Sequence, residues 1–170
     1  PSGRDLDGDG KSSSRDEAIE VVSLAHEDIH LKGVSVRYKG EPRGTIKTDT
    51  CLKPYTAAVV VGATTGAVTL PDGAIVARLT KTLRLTDSGG KLALVGVAGP
   101  PLDEVAVPLA ADVTAGVVTR QLDGERASEL LPHAWLPHAA GRNWSPGTCA
   151  DGEPFPACVS EGVVDREAYL

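Results

Sequence analysis

Methionine is absent from this chain, phenylalanine occurs once, and Phe, Trp and Tyr together make up 4% of its 170 residues. A length of this order is enough for one domain to bury its own core, so that core must be packed mainly from Val, Leu, Ala and Ile. Val and Thr are β-branched and favour strands. Long apolar runs are missing too: the longest, Ala57 to Gly62, falls far short of the roughly 20 residues that a membrane-spanning helix needs. The expectation is a chain with no membrane association.

Basic clusters are likewise scarce. Seventeen Lys and Arg stand against twenty-three Asp and Glu, for a net charge of −6, and the basic residues are scattered. Duplex binding needs several cations gathered on one face to neutralise phosphates, so direct nucleic-acid binding is not expected. Catalytic signatures are thin. The chain has no Gly-x-Ser-x-Gly elbow. The stretch Gly62-Ala63-Thr64-Thr65-Gly66-Ala67-Val68-Thr69 lacks the Lys of a phosphate loop and reads as a turn between strands. His26 and His30 stand four apart, a zinc-compatible spacing on a helix, but no third ligand accompanies them. They read as surface histidines, as do His133 and His138. The expected role is structural or binding, not enzymatic.

Three cysteines are present. Cys149 and Cys158 enclose a Pro-rich loop, where a disulfide would add about 2–3 kcal/mol by restricting the unfolded chain; Cys51 has no local mate. The odd count argues against a secreted disulfide scaffold, and three unpaired thiols are the alternative. The N-terminal Pro1-Ser2-Gly3-Arg4-Asp5 has neither a Met nor the layout of a signal peptide, which predicts a processed or trimmed start.

What is present divides into three parts: an acidic Gly/Ser-rich arm over 1–17, a β-rich core over 18–131, and a Pro-rich irregular extension over 132–170. In the core, Val34, Val36 and Tyr38 alternate with polar residues and share one face of a strand. The turn Gly40-Glu41-Pro42-Arg43-Gly44 then leads to a partner strand around Thr45 to Thr48. Short Val/Leu/Thr-rich runs follow from Ala57 to about Leu122, punctuated by Gly, Pro and Asp. The fold class is therefore mainly β, a small barrel or sandwich, with one or two short helices and extended termini. One helix is expected from Asp123 to Leu131, stopping before Pro132. Trp135, Trp144 and Phe155 are candidate packing or interface anchors in the extension.

The sharpest motif is Asp5-Leu6-Asp7-Gly8-Asp9-Gly10-Lys11-Ser12-Ser13-Ser14-Arg15-Asp16. Carboxylates at positions 1, 3 and 5 of a loop converge on one hard cation, and Gly at position 6 permits the turn that brings round the carbonyl of position 7. Asp5, Asp7, Asp9, the Lys11 carbonyl, Ser13 and Asp16 are thus the candidate calcium ligands. Asp16 stands where a longer, bidentate Glu is usual, which weakens binding. A solvated acidic arm is the alternative. Ser14 and Glu17 also form a capping box that would start a helix through the late twenties, while Ala18-Ile19-Glu20-Val21-Val22 reads equally well as a strand.

Between Val68 and Leu131 the chain resembles the head-decoration, or capsid-cement, proteins of tailed bacteriophages. The resemblance runs through Val68 to Thr80, around Pro71-Asp72-Gly73, and Leu85 to Leu94, around Gly90-Lys91. It continues through Val105 to Gly116, with Ala110-Ala111-Asp112, then Val117-Val118-Thr119-Arg120 and Glu125 to Leu131. The acidic arm and the Cys-bearing tail depart from that pattern. The resemblance implies a β-tulip-type fold, a homotrimer on the capsid exterior, the major capsid protein as partner, and no required cofactor. Any calcium held by the arm would be structural. A secreted, calcium-stabilised bacterial binding module is the alternative, with an extracellular location.

Overall fold

A computed structural model describes residues 5–11, 13–97, 99–109, 118–120, 130–136, 139, 142, 144–155 and 157–158. The chain is mainly β. Eleven strands are seen among these residues: β1 Ala18–Val22, β2 Ile29–His30, β3 Ser35–Tyr38, β4 Glu41–Thr45, β5 Cys51–Leu52, β6 Ala57–Val61, β7 Ile75–Arg78, β8 Gly90–Val95, β9 Pro101–Val107, β10 Val118–Arg120 and β11 Leu130–Pro132. The helix expected over Asp123 to Leu131 lies mostly outside the described residues. Its end is a strand, β11, antiparallel to β10. Helical structure among the described residues is 3-10 only, in the turn His133–Trp135 and at Ala139, and none of their helices is long and apolar enough to cross a membrane.

β6 explains the layering. All five of its residues are buried, because a strand covered on both faces needs no polar alternation. Ala58 and Val60 point into the main core, while Val59 and Val61 point to a second cluster with Leu6, Val68, Leu70, Val76 and Trp144. The same period of two runs through its neighbours. Ile19 and Val21 of β1 and Ile75 and Ala77 of β7 face the main core, and Ala18 and Val76 face the second. β1 pairs antiparallel and β7 parallel with β6, so the ambiguous stretch 18–22 is a strand, and the helix reading of that stretch is set aside.

The second sheet, in the order β4-β3-β8-β9, is antiparallel throughout. Val36, Tyr38 and Leu92 turn inward from it to meet Val60, Ala77, Leu79 and Leu83. Each such side chain taken from water contributes about 1.5–3 kcal/mol. Tyr38 is fully buried, and its hydroxyl donates to the Thr86 carbonyl at 3.0 Å. The two sheets meet at one corner, where an antiparallel bridge joins Ile46 to Leu79. Neither sheet closes on itself among the described residues, so the arrangement is sandwich-like.

The predicted hairpin forms, with a tighter turn than the sequence suggested. Lys39 and Gly40 both take left-handed conformations, with φ of 54° and 80°, and two such residues reverse the chain at once. The returning strand therefore resumes at Glu41, and Pro42 lies inside it. Proline is tolerated because β4 ends its sheet.

Candidate functional site

Gly8 and Gly10, with φ of 72° and 82°, coil the acidic segment tightly enough to gather Asp5, Asp7 and Asp9. One carboxylate oxygen from each lies within 4.8 Å of the others. Backbone N–H groups of the loop donate to these carboxylates. Asp9 N–H donates to Asp5 Oδ1 at 3.0 Å and to Asp7 Oδ1 at 3.3 Å, Gly10 N–H to Asp5 Oδ2 at 2.7 Å, and Lys11 N–H to Asp9 Oδ1 at 2.8 Å. Three carboxylates held together repel one another, and a hard cation such as calcium is the partner that their oxygen donors suit.

Asp16 stands outside this trio. It is buried, with 3% of its surface exposed, and accepts from Leu6 N–H at 3.0 Å, Ser13 N–H at 2.7 Å and Ser13 Oγ at 3.2 Å. Ser13 and Asp16 thus form a knot that ties the two ends of the loop together. Lys11 is exposed and takes part through its N–H. Of the six candidate ligands, the fold brings together the three alternating aspartates and uses Ser13 and Asp16 to hold the loop's shape.

The loop is anchored to the sheet beneath it. Leu6 is buried against Val59 and Val61, Gly66 N–H donates to Asp7 Oδ2 at 2.7 Å, and Thr65 Oγ1 donates to the Arg15 carbonyl at 2.5 Å. Arg78, at the end of β7, grips the carbonyls of Thr65 and Gly66 at 2.6 and 2.5 Å. The Gly62–Thr69 stretch, read from sequence as a turn, is therefore also the dock for the acidic loop.

The histidines divide. His26 contacts Tyr55 Oη at 2.9 Å through Nδ1, and His30 lies 3.4 Å from Asp49; one is in a loop and the other in β2, so they do not share a helical face. Asp49 is held below the ordinary carboxylate value by its hydrogen bond from Lys32 and the charge of that lysine. His133, expected on the surface, is instead 2% exposed; His138 lies outside the described residues. His133 Nε2 lies 2.9 Å from Ser145 Oγ, and Nδ1 lies 3.1 Å from the Arg142 carbonyl. Sequence reasoning missed this pair, because only the folded tail brings the two together. It resembles a serine–histidine dyad, yet the residue after Ser145 is Pro146, which has no N–H to offer an oxyanion, and Gly147 N–H already donates to Glu20. The pair links the 3-10 turn to the segment at Ser145.

Cys149 and Cys158 form a disulfide, with S–S of 1.98 Å, and Cys51 is free and exposed. Of the aromatic anchors, Trp144 packs on the Leu6 cluster, whereas Trp135 is 62% exposed.

These features define a class: a mainly β module with a docked acidic loop and a disulfide-closed tail. Compared with known proteins, the chain matches no protein-family model and no curated protein.

Proposed function

We propose that the chain is a virion structural protein, a capsid-decoration protein that bridges and stabilises coat subunits as a homotrimer on the capsid exterior and carries no catalytic activity. One observation carries this reading. Of the four large hydrophobic residues exposed among the described residues, three lie on or beside the β8–β9 hairpin: Val97 at 77%, Leu102 at 48% and Leu109 at 50%. That hairpin falls inside the stretch that resembles the cement proteins. Isolated exposed aliphatics are ordinary, but Val97 and Leu102 stand together at the turn end of the hairpin, with Leu109 past its other end, and such a pair supports a contact there. The test is to band the source material on a density gradient and count this chain against coat protein by mass spectrometry. Hundreds of copies per DNA-filled particle are expected, and absence from particles would sink the reading.

A second reading, a secreted calcium-stabilised bacterial binding module, is favoured by two observations: the convergence of Asp5, Asp7 and Asp9, and the Cys149–Cys158 disulfide, a bond typical of oxidising compartments. In this reading calcium at a hundred times its dissociation constant adds about 2.7 kcal/mol to stability. Thermal unfolding with calcium and with chelator measures this directly, and equal midpoints would remove a folding-linked calcium site.

A further inference from the structure

Arg43 is an extra residue in its strand. In the β3–β4 ladder Val36 faces Gly44 and Arg37 faces Pro42, so Arg43 is bulged out of the pairing, the device by which sheets re-aim a side chain. Its guanidinium carbon lies 5.5 Å from the Tyr38 ring centroid, and its Nε–H is buried without a hydrogen-bond partner.

The segment after β7 lies against this bulge. Thr80 N–H donates to the Thr45 carbonyl at 2.9 Å, and Ala63 N–H donates to the Lys81 carbonyl at 3.0 Å. Two glycines permit the approach. A Cβ on Gly44 would lie 3.1 Å from Lys81 N, and one on Gly62 would lie 3.2 Å from Thr82 Cα. Arg84 is left-handed, with φ of 52°, and the next N–H, that of Leu85, donates to Glu17 Oε2 at 2.8 Å. The result is an open cleft of about 410 Å³ lined by Pro42, Arg43, Lys81, Thr82 and Arg84.

Three cations thus converge in a chain whose net charge is −6. The ion pairs among the described residues are made by other side chains. Glu17, on which the Arg43 charge acts, is buried, and desolvation disfavours its own charge. An arginine fork, a lysine point charge and a threonine hydroxyl are the set that recognises a tetrahedral oxyanion.

We propose that this cleft binds a phosphate or sulfate group, with the Arg43 guanidinium, Lys81, Thr82 and Arg84 lining it as its partners. The site does not depend on either functional reading above. The test is a titration of the full chain with inorganic phosphate at constant ionic strength set by sodium chloride, followed by NMR, with glycerol phosphate as a second probe. Saturable binding that shifts the Arg43 side-chain resonances is expected. Tighter binding of glycerol phosphate assigns the site to a phosphate ester, and equal or weaker binding assigns it to the free ion. Arg84→Gly is the informative variant, because glycine relieves the left-handed backbone while deleting the charge. It should weaken phosphate binding about tenfold, by loss of one charge-assisted contact, while raising the unfolding temperature. Lys81→Gln, on an exposed side chain, should weaken binding with the unfolding temperature unchanged. No saturable binding at matched ionic strength, or unchanged affinity in both variants, would overturn the proposal.

Discussion

Glu17 shows how one buried carboxylate sets a pH dependence. Burial pushes its carboxyl above the ordinary value of 4.5, and the opposing pulls of the Leu85 N–H and the Arg43 charge are smaller. The folded chain therefore holds this proton more tightly than the unfolded chain. The stabilisation from the protonated form is full below the unfolded pKa and is lost as pH rises through the folded one. At neutral pH the ionised Glu17 is a net cost. Glu17→Gln keeps an oxygen for Leu85 and removes the charge, so the variant should be more stable than wild type at pH 7, with the advantage vanishing as pH falls toward 4.5. Thermal unfolding of both proteins across that range reads the difference, and a gap that stays constant with pH would refute it. Gly44 gives a second test at this scale. Its φ is 133° and a Cβ would meet Lys81 N, so Gly44→Ala should lose about 2–3 kcal/mol in urea unfolding. Gly73→Ala, where φ is 89° but nothing lies within 4 Å, should lose about 1 kcal/mol. Equal losses would mean that the close approach to Lys81 costs nothing.

At the scale of elements, the disulfide closes a short loop at sequence separation 9, so its effect is the loop-closure entropy it removes from the unfolded chain. Reduction, or the double change Cys149→Ala and Cys158→Ala, should cost about 2–3 kcal/mol, read as a lower urea midpoint. An unmoved midpoint would show that the tail unfolds without coupling to the sheets. Elements with local causes were legible in the sequence. The alternation of Val34, Val36 and Tyr38 marked β3, the apolar run from Ala57 marked a short strand without showing that both its faces are buried, and the spacing of Asp5, Asp7 and Asp9 marked their convergence. Elements with distant causes were not. β1 carried a helix cap and a strand pattern at once, and pairing with β6 decided between them. The hairpin turn was misplaced because Lys39, a residue that rarely adopts positive φ, supplies half of it. The spacing gave no sign that Asp16 accepts from Leu6 N–H and Ser13 and lies apart from the aspartate trio. The basic cleft left no local signature, since Arg43 and Lys81 meet only through a bulge and a sheet corner.

For the whole molecule, the question is what covers the aliphatic surface of the β8–β9 hairpin. A chain poor in aromatics spreads its apolar area over many small side chains, and leaving several of them exposed on one element forfeits the burial that drives folding, about 25 cal/mol for each Å². Association through that hairpin, as proposed above, would recover the area. If the chain works as a homotrimer, light scattering behind size exclusion should give three times the 17.6 kDa chain mass at concentrations where the interface is saturated. Val97→Lys is the sharp variant: the side chain is 77% exposed, so the folded monomer loses little, whereas a lysine carried into a subunit contact must be desolvated there. The expected result is dissociation toward monomer with a nearly unchanged unfolding temperature for the monomeric form. A wild-type chain that stays monomeric at every concentration would refute self-association.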